Sequence, residues 1–195
     1  MNRLALIALI IAPHAFCCAS ENQLVSLAQG DFAPEFSAID DHGETWNSID
    51  HVGKEVVVVY FYPADMTAGC TDQACGFQKR LSEMKSAGVT VVGVSGDSAI
   101  NHQLFKKAHS LKFPLLADED GKVANAFGVP VRDGGAITTV VKGEQKTLIR
   151  GVTAQRWTFV IGLDGTIIHK NTKVDAAGDC DAVLNVVRQL TASTP

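Results

Sequence analysis

An α/β sandwich, a mixed sheet flanked by helices, is the fold class the sequence predicts, and three observations predict it. Val56 to Tyr62 (VVVVYFY) is an unbroken β-branched and aromatic run stopped by Pro63, the pattern of a buried strand. Directly after it, Ala74, Phe77, Leu81 and Met84 recur at helical spacing. Strand-like and helix-like stretches then alternate before the chain closes with a hairpin and a last helix.

The elements follow in order. Residues 35–47 form a hairpin at one end of the sheet, with Asp41-His42-Gly43-Glu44 as its turn and His42 solvated. The central strand leads into a helix that ends near Ala87-Gly88. Val89 to Ser95 is a second buried strand. A helix over Ala99–Ser110 follows, capped by Ser98, and its His102 and His109 are read as surface residues because no second ligand stands at metal spacing. Phe113–Leu116 is a short strand, and Asp118–Phe127 a helix stopped by Gly128. Within residues 131–155 a hairpin is expected around 135–149, with Ala136–Val141 and Lys146–Ile149 as its arms, placed to cover a sheet edge. Arg156–Ile161 is a core strand, turned by Leu163-Asp164-Gly165 into Thr166–His169. The last helix starts near Gly178-Asp179, with Val183, Val186, Val187 and Leu190 on one face. With a cysteine at the start of the first main helix, this order points to a thioredoxin-like sheet.

The 195-residue chain is 46% hydrophobic and 19% charged, which gives it material for a substantial core. Its formal charge of −4 and the lack of any Lys/Arg run argue against a nucleic-acid partner. Residues 1–19 read as a secretory signal peptide: Arg3, the apolar block Leu4–Ala12, then Cys17-Cys18-Ala19, with cleavage expected after Ala19. The block is too short to span a membrane comfortably. Phe16 disfavours a lipid anchor on Cys17 or Cys18. Residues 20–195 are then expected as one exported domain, periplasmic in a double-membraned bacterium, with no membrane span.

Cleavage leaves Cys70, Cys75 and Cys180. Cys70 stands at a helix start, where unpaired amides and a partial positive charge favour thiolate over thiol. Thr67, one turn ahead, is placed to donate its hydroxyl to the sulfur or to a substrate oxygen, and Pro63 shapes the turn. An inert core cysteine is the alternative for Cys70. Outside the cytoplasm a purely structural Cys70–Cys75 bridge is also conceivable. Residues five apart on a regular helix, however, have Cα atoms roughly 8 to 9 Å apart, and a disulfide needs less than about 7 Å. The helix must unwind for the bridge to close, which points to redox activity. Cys180, three residues before Val183, is read as inert packing.

The stretch Tyr60-Phe61-Tyr62-Pro63-Ala64-Asp65-Met66-Thr67-Ala68-Gly69-Cys70-Thr71-Asp72-Gln73-Ala74-Cys75 resembles the peroxiredoxins. More narrowly it is similar to the bacterioferritin-comigratory (Q-type) subfamily, whose P-x-x-x-T-x-x-C motif falls on Pro63, Thr67 and Cys70, with the second cysteine five residues on. Gly30–Phe36 (GDFAPEF) resembles the family's opening strand, and Arg156 in RWTFVI matches the arginine it keeps beside the reactive sulfur.

The resemblance implies a peroxiredoxin form of the thioredoxin-like fold and a thiol-dependent peroxidase acting on hydrogen peroxide and organic hydroperoxides. It implies Cys70 as peroxidatic and Cys75 as resolving through an intramolecular disulfide, with Thr67, Arg156 and Pro63 around the peroxide. A thioredoxin-like dithiol, periplasmic for an exported chain, would be the reductant. Neither cofactor nor metal is implied, and a monomer is expected. Two departures stand out: the 131–155 segment is longer than the family's, an insertion that would shield an edge, contact a reductant or alter access to Cys70, and Gly162 replaces a common aspartate.

Two other readings share the fold. A disulfide reductase needs C-x-x-C, and here four residues separate the cysteines. An exported copper carrier could offer Cys70, Cys75 and His169 to Cu(I), but would leave Thr67 and Arg156 without purpose.

Overall fold

A computed structural model describes residues 25–192 apart from residue 142. The expected leader at residues 1–19 lies outside the described residues. In chain order the elements are β1 (Ser37–Asp40), β2 (Thr45–Asn47), a 3₁₀ turn (Ser48–Asp50), β3 (Val56–Phe61), α1 (Ala68–Ser86), β4 (Val89–Ser95), α2 (Ala99–His109), β5 (Leu115–Ala117), α3 (Lys122–Ala126), β6 (Val131–Val141), β7 (Glu144–Ala154), β8 (Trp157–Ile161), β9 (Ile167–Asn171) and α4 (Asp179–Ala192).

Seven strands form one mixed sheet in the order β2-β1-β5-β4-β3-β8-β9. Strands β3, β4 and β5 run parallel; β1, β8 and β9 run antiparallel to their inner neighbours. Because side chains alternate along a strand, the β3 run is divided between two cores. Val58, Tyr60 and Tyr62 face α1, α2 and α4 among Phe77, Met84, Phe105 and Val183. Val57, Val59 and Phe61 face α3 and the amino-terminal segment among Phe36, Trp46, Phe127 and Phe159. Each such side chain contributes about 1.5–3 kcal/mol on burial, and both layers converge on β3.

Gly93, in the middle of β4, is dictated by Tyr60. A Cβ at that position would come within 2.6 Å of the tyrosine ring.

The structure shifts several expected elements. The helix expected at Asp118–Phe127 begins only at Lys122. Asp118 stays outside it and its carboxylate accepts the Val123 and Ala124 amides, both at 2.8 Å. Strand β5 starts after Pro114, whose carbonyl accepts from Gly93 N–H. Gly30–Phe36 is an irregular segment beside β9, with one bridge, Phe32 to Thr166, in place of a regular strand.

The hairpin is longer than expected and is a separate two-stranded sheet. It does not cover a sheet edge. It crosses the carboxyl-terminal end of β4, where Gly151 N–H donates to the Gly96 carbonyl at 2.9 Å. A Cβ at Gly96 would lie 2.1 Å from the Val152 carbonyl oxygen, so only glycine permits the approach.

Candidate active site

The site forms where β3 ends and α1 begins, at the carboxyl-terminal end of the central strand. Tyr62 and Pro63 leave the sheet. Met66 adopts a left-handed backbone (φ +62°), uncommon for a residue with a side chain. Thr67 then takes the extended conformation of a helix N-cap. The first helical bond runs from Thr71 N–H to the Thr67 carbonyl at 2.8 Å, so the Cys70 amide belongs to the first turn, where no carbonyl four residues back serves it. Thr67 does not use its hydroxyl to cap the helix or reach the sulfur. It donates to the Ala64 carbonyl at 3.0 Å and keeps its lone pairs available.

Cys70 is 1% exposed. Arg156, half-buried just before β8, places Nη2 3.1 Å from its Sγ. That contact follows from register: β8 pairs antiparallel with β3, Trp157 opposite Phe61, so the residue ahead of Trp157 arrives beside the β3 end.

A chain of buried polar groups orients the guanidinium. Arg156 Nη1 donates to Gln73 Oε1, and Gln73 Nε2 donates to Asp179 Oδ2 at 2.7 Å. Thr158 Oγ1 donates to the same oxygen at 2.7 Å. Burial pushes the Asp179 carboxyl up, opposed by the Thr158 and Gln73 hydrogen bonds, and its other oxygen is buried without a partner. Gln73 and Asp179 were not singled out in the sequence. Gln73 had a signal, since it stands three residues from Cys70 and so on the same helix face. Asp179 had none, because its partners come from α1 and β8.

Cys75 is half-buried on the intact α1, and both it and Cys70 are free thiols. Burial, then the Asp72 charge, raises the Cys75 thiol above its ordinary range. Cys180 is buried against Gly76, a Cβ at which would sit 3.5 Å from its own. Burial, with the Asp181 charge next, pushes the Cys180 thiol up to about 12.

His42 is exposed as expected, beside Asp41 at 3.3 Å. His102 is the clear correction: it is 0% exposed, and its Nδ1 lies 2.8 Å from Asp65 Oδ2. His109 is half-buried, edge-on to the Phe105 ring. His169 lies in β9. Among the described residues no three His, Cys, Asp or Glu side chains group to hold a metal. No helix there is long and apolar enough to cross a membrane.

A cavity of about 330 Å³ opens beside Pro63 and Arg156. Its far wall is the root of the hairpin, including Val131, Arg132 and Ala154.

Residues 29–170 match the AhpC/TSA family. The chain is 38% identical over 164 residues to peroxiredoxin Bcp of Escherichia coli (strain K12), across 84% of this chain and 97% of that protein. Among solved structures, peroxidoxin BcpB from Mycobacterium tuberculosis aligns with a TM-score of 0.70 at 28% identity, covering 85% of this chain and 99% of that one. The bacterioferritin comigratory protein of Xanthomonas campestris, whose structures address its alkyl peroxide reduction activity, aligns with a TM-score of 0.64 at 30% identity, covering 80% of this chain and 91% of that one.

Native, reduced protein treated with iodoacetamide at pH 8 is expected to leave Cys180 unlabelled, since the residue is buried and burial pushes its thiol up to about 12, well above the pH of the reaction. Denaturant should release it. Native labelling of Cys180 as fast as of Cys75, read by peptide mass spectrometry, would show that it is not inert packing.

Proposed function

The chain belongs to the AhpC/TSA family and is a thiol-dependent peroxidase, and from that premise we propose that Cys70 is its peroxidatic cysteine and Cys75 its resolving one. The observation that carries this reading is the 3.1 Å contact between Arg156 Nη2 and Cys70 Sγ at the first turn of α1. A guanidinium and first-turn amides converge on one sulfur, where they can bind charge that develops on a hydroperoxide's oxygens.

In the first step the Cys70 thiolate attacks the terminal oxygen of a hydroperoxide. An S–O bond forms, the O–O bond breaks, and the leaving oxygen departs as water or alcohol after taking a proton; Cys70 becomes a sulfenic acid. Arg156 and the Cys70 amide bind the charge that grows on the oxygens. Thr67 Oγ1, its own proton committed to Ala64, accepts the peroxide O–H. Pro63 closes one side of the approach. The cavity wall formed with Val131 and Ala154 has room for the organic part of an alkyl hydroperoxide beside hydrogen peroxide.

In the second step Cys75 attacks the sulfenic sulfur; an S–S bond forms and water leaves. With both residues on an intact helix, about 8 to 9 Å apart at Cα by helix geometry, this requires the first turns of α1 to unwind. A thioredoxin-like dithiol then reduces the bridge by exchange. A bridge closed within one chain needs no partner subunit, and we take the working form as a monomer. Copper carriage has no support here, since the guanidinium sits where Cu(I) would have to bind.

We further propose that residues 1–19 are removed on export and that residues 20–195 work outside the cytoplasm, without a lipid on Cys17 or Cys18. The basic start, short apolar block and small residues at 17–19 support this.

One equivalent of hydrogen peroxide or cumene hydroperoxide should convert reduced wild type to a Cys70–Cys75 disulfide. Cys75→Ser should stop at a Cys70 sulfenic acid, Cys70→Ser should not react, and Arg156→Ala should slow oxidation by about 10²- to 10³-fold. A disulfide that persists in Cys75→Ser would overturn the resolving role.

Fractionation of cells expressing the full chain is expected to place a monomer starting at Ser20 in the periplasm, with turnover lost when periplasmic thioredoxin-like reductants are deleted. An intact leader on a cytoplasmic protein would refute the export proposal.

A further inference from the structure

Asp65 takes no part in the chemistry above, yet the loop that delivers Thr67 and Cys70 is built on it. Asp65 and His102 are both 0% exposed. His102 Nδ1 lies 2.8 Å from Asp65 Oδ2, and the Tyr62 hydroxyl donates to Asp65 Oδ1 at 2.7 Å. The Asp65 amide donates to Asp97 Oδ2 at 2.9 Å. Asp97 also accepts from Ser95 Oγ at 2.9 Å and from Asn101 Nδ2 at 3.2 Å. The same Asn101 nitrogen donates to the Ile149 carbonyl of β7 at 2.9 Å. One buried network therefore ties the Cys70 loop to β4, α2 and the hairpin.

Two carboxylates in one buried network are costly without a cation. The groups facing the imidazole are Asp65 from the loop, Asp97 from the β4–α2 turn, the Tyr62 hydroxyl at 3.4 Å and, from β5, the Leu116 carbonyl. None of these is cationic, so the imidazole is the group in this network able to carry a positive charge, and its Nε2 is buried without a hydrogen-bond partner. Burial works against that charge, but Asp65 and Asp97 outweigh it and raise the imidazole above its ordinary value of 6.5. Burial and then the Asp65 charge push the Asp97 carboxyl up as well.

We propose that His102 is a positioning residue for peroxide reduction: by holding Asp65 it fixes the left-handed turn at Met66, and with it the placement of Thr67 and the first-turn amides of α1 around the Cys70 sulfur. A strained turn persists only where its surroundings over-determine it. Here both sides of Met66 are held, Asp65 by the network and Thr67 by its bond to Ala64. The inference rests on the peroxidase reading of Cys70.

The sign of the pH dependence follows. A histidine whose folded value is raised keeps its charge to a higher pH than a free imidazole and loses it as pH rises through that value. The positioning contribution is lost in the same direction.

The test is stopped-flow oxidation of Cys70 by hydrogen peroxide against pH, in wild type and His102→Gln, each with circular dichroism and a melting curve. Glutamine keeps a hydrogen bond to Asp65 and removes the charge. The expected result is a folded variant oxidised about 10- to 100-fold more slowly near pH 7, with the wild-type advantage shrinking as pH rises through the imidazole's titration. Asp65→Asn/His102→Gln, which removes both charges, should recover part of the loss.

Equal rates for wild type and His102→Gln, or a ratio independent of pH, would overturn the proposal. A lowered melting temperature without a pH-dependent ratio would likewise make the role merely structural. Should His102→Gln fail to fold, the wild type decides: the imidazole titration followed by NMR must coincide with an alkaline fall in the oxidation rate, and a mismatch overturns the inference. Wild type that does not react at Cys70 would instead sink the peroxidase reading.

Discussion

The contact between the Arg156 guanidinium and the Cys70 sulfur is the interaction on which the rest of the site depends. It draws on four elements at once. Strand β3 and α1 bring the sulfur, β8 brings the arginine through its pairing with β3, and α4 contributes Asp179 at its first position. The cost is visible too. Asp179 is buried, accepts from Gln73 and Thr158 on one oxygen, and leaves the other without a partner. Buried polar chains of this kind are rigid because each member has few alternatives, and rigidity is what a guanidinium needs to stay on a sulfur.

A second network on the other side of the loop works by the same physics. Asp65 and Asp97 are held by hydroxyl, amide and imidazole groups on the Cys70 loop, β4 and α2. The five residues from Pro63 to Thr67 thus run between two polar clusters, with the apolar core of Tyr60, Tyr62 and Phe77 beneath. The hairpin enters here as well. Its backbone contacts to Gly96 and Asn101 anchor it over the end of β4, and its root forms a wall of the cavity beside Arg156.

The sequence made β3, α1 and Cys70 legible because their signals are local: an unbroken apolar run, a 3.6-residue period, and a cysteine at their junction. Arg156 was legible through a motif, though not the Gln73–Asp179 chain that aims it. His102 was misread for a physical reason. On α2 the polarity pattern is inverted, with Ile100 69% exposed while Asn101 and His102 are buried. Only the Asp65 and Asp97 partners, 37 residues and four residues away along the chain, make polar burial there favourable. The hairpin was legible as a hairpin, but its position was not, since glycine backbone contacts at Gly96 and Gly151 leave no side-chain pattern. The late start of α3 depends on Asp118 reaching forward to two amides, which a helical period alone does not reveal.

The burial of Cys70 within an intact first turn, beside a half-exposed Cys75, sorts the reaction partners by size. A sulfur 1% exposed can be met by a small molecule entering along the Pro63–Arg156 cavity, but no protein surface can be brought against it. The helix therefore acts as a valve between two vocabularies of substrate. In the proposed Cys70–Cys75 cycle the wound helix admits a hydroperoxide and shuts out a dithiol protein, and the unwound helix would offer a disulfide to that protein and lack the pocket a peroxide needs. On that proposal the order of the two half-reactions is set by geometry rather than by relative affinity, and oxidant and reductant could coexist in one compartment without competing for the same state of the enzyme.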